Sequence, residues 1–231
     1  MSIPEILFDG SYLYFDKEIN YSQENFKFVH IPDVQNYHVY SEILSRTETG
    51  EFLKILVRYE MNSHFIPYLV RIEKSMGKLY AEEVFKIDPN EHELHYTFKN
   101  SHSSQEFKRP HNAKHYLTTP SFATTALFTL SKKFDPTGRT PVVFVASQNE
   151  WEYLGPPTEK IVYVDLLARE LTDFKLNNKE LSASHFGLFE NDANQHSNEE
   201  PVNLYVSKHY AIPYQLLNGE QKIMIKTLKK H

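Results

Sequence analysis

The segment from residue 52 to residue 98 constrains the fold most strongly, because four runs of alternating apolar and polar residues follow one another there with short turn signals between them. In the first run the apolar side chains share one face and the charged side chains share the other: Leu53, Ile55, Val57 and Tyr59 against Lys54, Arg58 and Glu60. This periodicity predicts an antiparallel β-meander. A sheet with one apolar face must cover that face with a second sheet, a helix or a ligand.

Composition places the rest of the chain in the same class. The chain has 231 residues, 40% of them hydrophobic and 14% aromatic, which is enough for a continuous core. We therefore expect a single β-rich domain over residues 1–231.

Charge, cysteine content and hydropathy exclude several classes of protein. A net charge of −5 argues against a nucleic-acid surface, which needs clustered Lys and Arg. The absence of cysteine excludes disulfides and thiolate chemistry. No apolar run approaches the roughly 20 residues of a membrane-spanning helix, and residues 1–15 lack the features of a signal peptide. The sequence as written predicts a cytoplasmic protein, or a periplasmic one if a signal peptide has been removed.

Strand signals continue on both sides of the meander, and they predict about ten or eleven strands in total. Residues 100–114 are polar and are predicted to form a mobile loop, as is the segment 190–201. A hairpin is expected where two strand candidates, 171–176 and 181–189, flank Asn177 and Asn178. The full list of further strand candidates is 12–15, 26–31, 37–44, 141–146, 160–167, 204–207, 212–216 and 222–228.

One segment breaks the β pattern. From Thr119 to Lys132 a plausible N-cap and Pro120 precede apolar residues spaced at three and four, which predicts an amphipathic α-helix. Such a helix suits the open side of a curved sheet. The predicted fold is therefore mainly β, a large curved antiparallel sheet forming a half-barrel or open barrel, with one amphipathic helix across its concave side.

Glu83 is the polar residue of greatest interest. It occupies the apolar row of its strand, between Ala81 and Phe85, so its carboxylate is predicted to face inward. Burial of an unpaired carboxylate costs on the order of several kcal/mol. The carboxylate of Glu83 should therefore pair with a basic side chain, become protonated, or contact a ligand or water in a cavity. A β-bulge that leaves Glu82 and Glu83 near solvent is the alternative.

Other chemistry-bearing patterns are weak. His111 and His115 are four apart, but Pro110 and Asn112 indicate a loop and no HExxH motif is present, so they are expected to be solvated loop histidines and no metal site is predicted. No GxSxG or GxG motif occurs, and we predict no cofactor and no catalytic residue. The stretch 207–214 places His209 and Tyr210 beside Pro213, a composition that suits either the polar mouth of a cavity or an edge strand.

The order of these elements resembles a known family. A long meander, an intervening helix at 119–132 and the closing pattern LYVSKHYAIPYQLLNGEQKIMIKTL (204–228) are similar to bacterial half-barrel domains related to the LolA/LolB lipoprotein carriers, which include glycolipid-binding members. The resemblance implies an unclosed barrel whose concave apolar side accepts acyl chains beneath a helical lid. Residues expected to line such a site are Val57, Tyr59, Val70, Ile72, Glu83, Phe85, Tyr96, Phe122, His209 and Tyr210.

Two functional hypotheses follow from different classes. The first is a non-catalytic module that binds a lipid, glycolipid or other amphiphile in the half-barrel, without nucleic acid and without a membrane span. The alternative is a small-molecule enzyme that uses Glu83 with a histidine as general acid and base, or a protein-interaction domain that binds another protein through its sheet edges.

Overall fold

The computed structural model describes residues 3–47, 49–88, 90–112, 115–134, 138–176, 178–191 and 200–231. Within them the chain forms fifteen strands of one sheet, more than the ten or eleven expected. The first eight strands are β1 (Glu5–Asp16), β2 (Ile19–Ile31), β3 (Asn36–Arg46), β4 (Phe52–Met61), β5 (Pro67–Met76), β6 (Leu79–Asp88), β7 (Glu93–Asn100) and β8 (Ser104–Pro110). The other seven are β9 (Tyr116–Leu117), β10 (Thr140–Ala146), β11 (Thr158–Leu176), β12 (Lys179–Phe189), β13 (Val202–Ser207), β14 (Pro213–Asn218) and β15 (Gln221–Lys230).

The sheet consists of two meanders that meet at its centre. Strands β1 to β8 are consecutive neighbours, strands β9 to β15 are consecutive neighbours, and β1 pairs with β15 to join the two halves. All pairs are antiparallel except β9 with β10, which run parallel. The predicted meander is therefore confirmed and extends from the first strand to β8.

The link between β8 and β9 requires the sheet to roll up. These strands lie at opposite edges of the sheet, yet only residues 111–115 separate them in sequence. Fifteen flat strands would span roughly 70 Å, whereas the six Cα steps from Pro110 to Tyr116 reach at most about 22 Å. The two edges must therefore approach each other, although no backbone pairing joins β8 to β9 in the described residues. We call this junction the seam.

Two sequence-based expectations about loops and strands were wrong. Residues 104–110, expected to lie in a mobile loop, form β8, because an edge strand can carry many polar side chains while a single apolar residue, here Phe107, packs against the core. The candidates 160–167 and 171–176 are one strand, β11, whose pairing with β12 shifts register three times and so bends without ending. Asn178 does adopt the left-handed conformation expected at the hairpin turn, with φ of 63°. Asn177 and most of the 190–201 segment lie outside the described residues.

The helix predicted from Thr119 to Lys132 is confirmed only as a much shorter one. The segment contains a 3₁₀ turn at Phe122–Thr124 and one α-helical turn, α1, at Phe128–Ser131. Threonine hydroxyls explain the interruption, because those of Thr124 and Thr125 both donate to the carbonyl of Ser121 and compete with the regular backbone pattern. Most residues from 121 to 128 are buried, so this segment is a plug inside the rolled sheet and not a lid with one polar face.

Glu24 of β2 anchors the plug. It is fully buried, and its two carboxylate oxygens accept five hydrogen bonds. The donors, in order along the chain, are the hydroxyl of Tyr14, the hydroxyl of Ser41 (2.6 Å), the hydroxyl of Ser121 (2.5 Å), the backbone N–H of Phe122 (2.9 Å) and the backbone N–H of Ala123 (3.3 Å). This set satisfies a charge whose burial would otherwise be costly, and it joins β1, β2 and β3 to the plug.

Aromatic and aliphatic side chains fill the space around the plug. Phe122 packs edge-on against Tyr12 with ring centroids 4.9 Å apart, and Phe128 packs against Phe144 at 5.5 Å. Each such side chain contributes about 1.5–3 kcal/mol on full burial.

No helix in the described part of the chain is long and apolar enough to cross a bilayer.

Replacing Glu24 should destabilise the fold strongly. In Glu24→Gln the new NH₂ group is itself a donor and would face the N–H and O–H donors that now bind the carboxylate, and the charge-assisted hydrogen bonds are lost. We therefore expect the free energy of unfolding, measured by urea titration, to fall by about 3 kcal/mol. The control is Glu42→Gln on β3, whose side chain is 39% exposed and pairs with Lys54. It should cost less than about 1 kcal/mol. Equal losses for the two variants would contradict the anchoring role.

Buried tyrosines should make the fold sensitive to high pH. Burial, followed by the charge of Glu24, raises the pKa of Tyr12 and Tyr14, and burial raises that of Tyr59. Tyrosines in the unfolded chain ionise near pH 10. The contribution of these three tyrosines to the free energy of unfolding is therefore fully present below that pH and is lost as the pH rises towards their pKa in the folded protein. Tyrosinate absorbance should therefore rise in two steps, the second coinciding with loss of circular dichroism. A single step near pH 10 in a folded protein would contradict this.

Candidate functional site

Glu83 lies inside the rolled sheet, as its position in the apolar row predicted. Its cross-strand neighbours are Ile72 on β5 and Phe98 on β7, and it is 2% exposed. The strand carries no bulge at this point, so the alternative that placed Glu83 near solvent is wrong. Its oxygens accept hydrogen bonds from Lys74 Nζ (3.0 Å) and Tyr96 OH (2.7 Å).

Lys74 supplies the positive charge that compensates Glu83. It follows Val70 and Ile72 in the inward row of β5 and lies diagonal to Glu83, within reach of a long side chain. Its ammonium also donates to the carbonyl of Asn149 at 2.7 Å, and its side chain is 14% exposed. An ammonium has three donors, and these two contacts use two of them.

Asn149 fixes the other side of this network. Its side-chain amide donates to Tyr96 OH (2.7 Å) and to the carbonyl of Gly155 (2.9 Å), and its oxygen accepts the N–H of Leu154 (2.6 Å). Burial is the main reason that the pKa of Tyr96 is raised, so its phenol is neutral and donates to Glu83. The network thus attaches the connection between β10 and β11 to strands β5 to β7, across the interior of the rolled sheet.

Two cavities adjoin this network and share part of their wall. The polar cavity, about 200 Å³, is lined by Ile72, Lys74, Glu83, Thr118, Thr119, Pro120, Ala146 and Ser147. The apolar cavity, about 260 Å³, is lined by Leu117, Thr118, Thr119, Thr124, Thr125, Phe128, Phe144, Ala146, Lys160, Val162 and Leu188. Thr118, Thr119 and Ala146 belong to both linings. A charged, hydroxyl-rich space therefore borders an apolar one.

The structure separates the residues predicted to line a ligand site. Ile72 and Glu83 line the polar cavity. Tyr96 is buried and donates to Glu83. Five others are buried in the hydrophobic core beside protein side chains, namely Val57, Tyr59, Val70, Phe85 and Phe122. His209 is exposed, and Tyr210, with φ of 61°, packs against Phe8 and Phe28 with ring centroids 5.2 and 5.7 Å away. The predicted polar mouth at 207–214 therefore does not meet Glu83.

A larger groove of about 780 Å³ lies over the outward side chains of β2 to β5. Four of its five charged residues are paired with one another or with neighbours, for example Arg71 with Glu73 (2.9 Å) and with Glu82 (2.7 Å). These exposed pairs are typical of a solvated sheet face.

The loop histidines at the seam are not both solvated. His111 is 6% exposed, and its ring centroid lies 5.4 Å from that of His115. Burial, followed by the nearby His115 and Arg109, lowers the pKa of His111 to about 4, so its imidazole is neutral at physiological pH. The expectation of solvated loop histidines fails for His111, whose backbone N–H donates to the carbonyl of His92 at 2.7 Å and whose side chain is turned away from solvent.

Comparison with known proteins shows a similarity of fold and indicates no function. No family model and no curated protein matches the chain. Among solved structures, a β-barrel-like protein with a domain of unknown function, DUF1849, from Brucella abortus superimposes with a TM-score of 0.54 and 8% identity over 98% of both chains. A DUF1089 family protein from Pseudomonas aeruginosa gives 0.51 and 10% identity over 83% of this chain and 87% of its own. The chain thus has a barrel-like fold that also occurs in these bacterial proteins.

Substitutions of Lys74 and Glu83, made singly and together, should show that removing one partner destabilises the fold more than removing both. Lys74→Met leaves the Glu83 carboxylate buried without its cation, so we expect a loss of about 3–5 kcal/mol in the free energy of unfolding. Combining it with Glu83→Leu removes the stranded charge and should recover most of that loss. A double variant less stable than Lys74→Met would contradict this assignment.

Proposed function

We propose that the protein is a non-catalytic binding module for a single amphiphile, such as a lipid or glycolipid. The observation that carries the proposal is the shared wall of the two cavities, which sets an apolar space directly beside a charged one inside the rolled sheet. Their combined size falls at the lower end of the range for ligand sites, about 300–1,000 Å³, and corresponds to a small amphiphile.

The apolar cavity would receive the chain of the amphiphile. Phe128, Phe144, Val162 and Leu188 provide hydrocarbon surface from α1, β10, β11 and β12. Burial of an acyl chain against such surface contributes about 0.8 kcal/mol per methylene group. Because both aromatic rings are already packed edge-on against each other, the cavity is formed before a ligand arrives and little ordering cost remains.

The polar cavity would receive the head group. Lys74 has a third donor beyond its bonds to Glu83 and Asn149, and the hydroxyls of Thr118, Thr119 and Ser147 line the same space. Glu83 balances the charge of Lys74, so the site favours an uncharged, hydroxyl-rich head group.

The fold is compatible with a ligand-binding interior. It is barrel-like and occurs at full or nearly full length in two bacterial proteins with domains of unknown function. The acid–base alternative lacks such support, because the described hydrogen-bond partners of Glu83 are Lys74 and Tyr96 and include no histidine. The role of the sheet edges in binding another protein stays a prediction.

Filling the apolar cavity should weaken ligand binding. Val162→Trp projects an indole into it, so the affinity for a fluorescent fatty acid, measured by titration and by displacement with unlabelled lipids, should fall at least about tenfold, or 1.4 kcal/mol. The matched control is Ile161→Trp, one residue earlier on the opposite face of β11 and 47% exposed. It should bind like the unmodified protein. No saturable binding by the unmodified protein, or equal losses in both variants, would contradict the proposal.

A further inference from the structure

Strand β8 lies at the end of the sheet, so one of its edges is open to pairing. In the described part of the chain its backbone pairs with β7, at the other edge, and with no further strand. The chain leaves β8 through the link 111–115, so the seam lies at the end of the strand, while Ser104, Gln105, Glu106 and Lys108 are exposed. Such an edge is a template to which another strand can add through its free N–H and C=O groups.

The open edge of β8 belongs to its even-numbered residues. The register with β7 is continuous, and at its two ends the N–H of His111 donates to the carbonyl of His92 (2.7 Å) and the N–H of Asn100 donates to the carbonyl of Ser103 (3.0 Å). Because antiparallel neighbours alternate between bonded and non-bonded pairs, the odd-numbered residues of β8 bond to β7 and the even-numbered ones point their backbone groups away from it. Pro110, which has no N–H, accordingly occupies a position that β7 does not use.

The charges along this edge match a second copy of the same strand in one register. When a two-fold axis passes beside Phe107, two antiparallel copies of β8 set Glu106 directly opposite the partner's Lys108, and the same pair recurs by symmetry. The two adjacent registers that keep even-numbered residues opposite each other bring either Glu106 or Lys108 against its own copy. Both of those place like charges together, so the charge pattern selects the register centred on Phe107.

The inward side chains of β8 are compatible with this register. Phe107 is partly buried against the core of its own chain and would meet the partner's Phe107 across the axis, while Gln105 would lie opposite the partner's Arg109. No like charges meet on this face. Within one chain Arg109 Nη2 lies 3.2 Å from Glu159 Oε1 of β11, so this end of β8 is fixed before a partner arrives.

We propose that the protein self-associates as a symmetric dimer through β8, which makes one sheet continuous across two copies of the chain. Charged side chains on an edge strand usually prevent pairing with other chains. Here the alternating signs are their own complement, so they favour a second copy of this chain over other strands. No residue of β8 lines either cavity of the proposed amphiphile site, and the dimer is therefore independent of that site.

Charge reversal in the full-length protein tests this dimer. Sedimentation equilibrium should show a monomer–dimer equilibrium for the unmodified protein. Glu106→Lys and Lys108→Glu each convert both opposite-charge pairs into like-charge pairs, so each should raise the dimer dissociation constant about tenfold or more. The matched control is Glu18→Lys, the same change at an exposed residue of the turn between β1 and β2, which should dimerise like the unmodified protein.

Mixing the two variants separates pairing through β8 from unfolding or a general effect of charge. A chain with two positive charges on this edge is complementary to a chain with two negative charges, so an equimolar mixture of Glu106→Lys and Lys108→Glu should form a heterodimer. The double variant, with both charges exchanged, should dimerise by itself. An unmodified protein that is monomeric at every concentration, a Glu106→Lys variant that dimerises as well as the control, or a mixture without heterodimer would overturn the proposal.

Discussion

The carboxylate of Glu24 is the interaction on which the interior depends. A rolled sheet of this width encloses more space than its own inward side chains fill, so a separate segment must occupy the centre. That segment, residues 121–131, forms only two short helical turns, which leave the N–H groups at its start without acceptors inside the segment. Glu24 accepts the N–H groups of Phe122 and Ala123 together with three hydroxyls, and so holds the plug in one position.

The position of the plug determines where space remains. Phe122 packs on Tyr12 of β1, and Phe128 packs on Phe144 of β10, so the plug fills the interior beside these two strands. The space that remains lies beyond the start of the plug, at Thr118 and Thr119, between the Lys74–Glu83 pair and the side chains of β10 to β12. The proposed amphiphile site therefore follows from the same packing that stabilises the fold.

The roll of the sheet brings together residues that are distant in sequence. Lys74 of β5 reaches the carbonyl of Asn149, and Asn100 at the end of β7 reaches the carbonyl of Trp151 at 2.9 Å. Both acceptors lie in the connection between β10 and β11, near the opposite edge of the sheet. Side chains therefore bridge the two meanders on the side where backbone pairing stops, and the histidines of the seam lie on that same side.

The sequence predicted those features that depend on the alternation of side chains. The meander and the inward position of Glu83 follow directly from the two-residue period of a strand. Lys74 is a charged residue in the apolar row of β5, just as Glu83 is in the apolar row of β6. The same alternation could therefore have identified Lys74 as the partner of Glu83.

Features set by contacts between distant segments were not predictable in this way. The spacing of residues 119–132 resembles a helix, but the hydroxyls of Thr124 and Thr125 and the bonds to Glu24 decide its conformation. The buried state of His111 depends on the closure of the sheet. Nothing within either segment indicates those partners, because they lie on strands far away in the chain.

Native-state hydrogen exchange at the amides of Phe122 and Ala123 tests the central claim most directly. These amides belong to no long helix and to no strand, so without Glu24 they would exchange by local opening. If Glu24 holds the plug, their exchange should require global unfolding, and their protection should match that of core amides such as those of Val57 and Val70. Exchange at the rate of exposed turn amides, in a protein whose strands stay protected, would contradict the account.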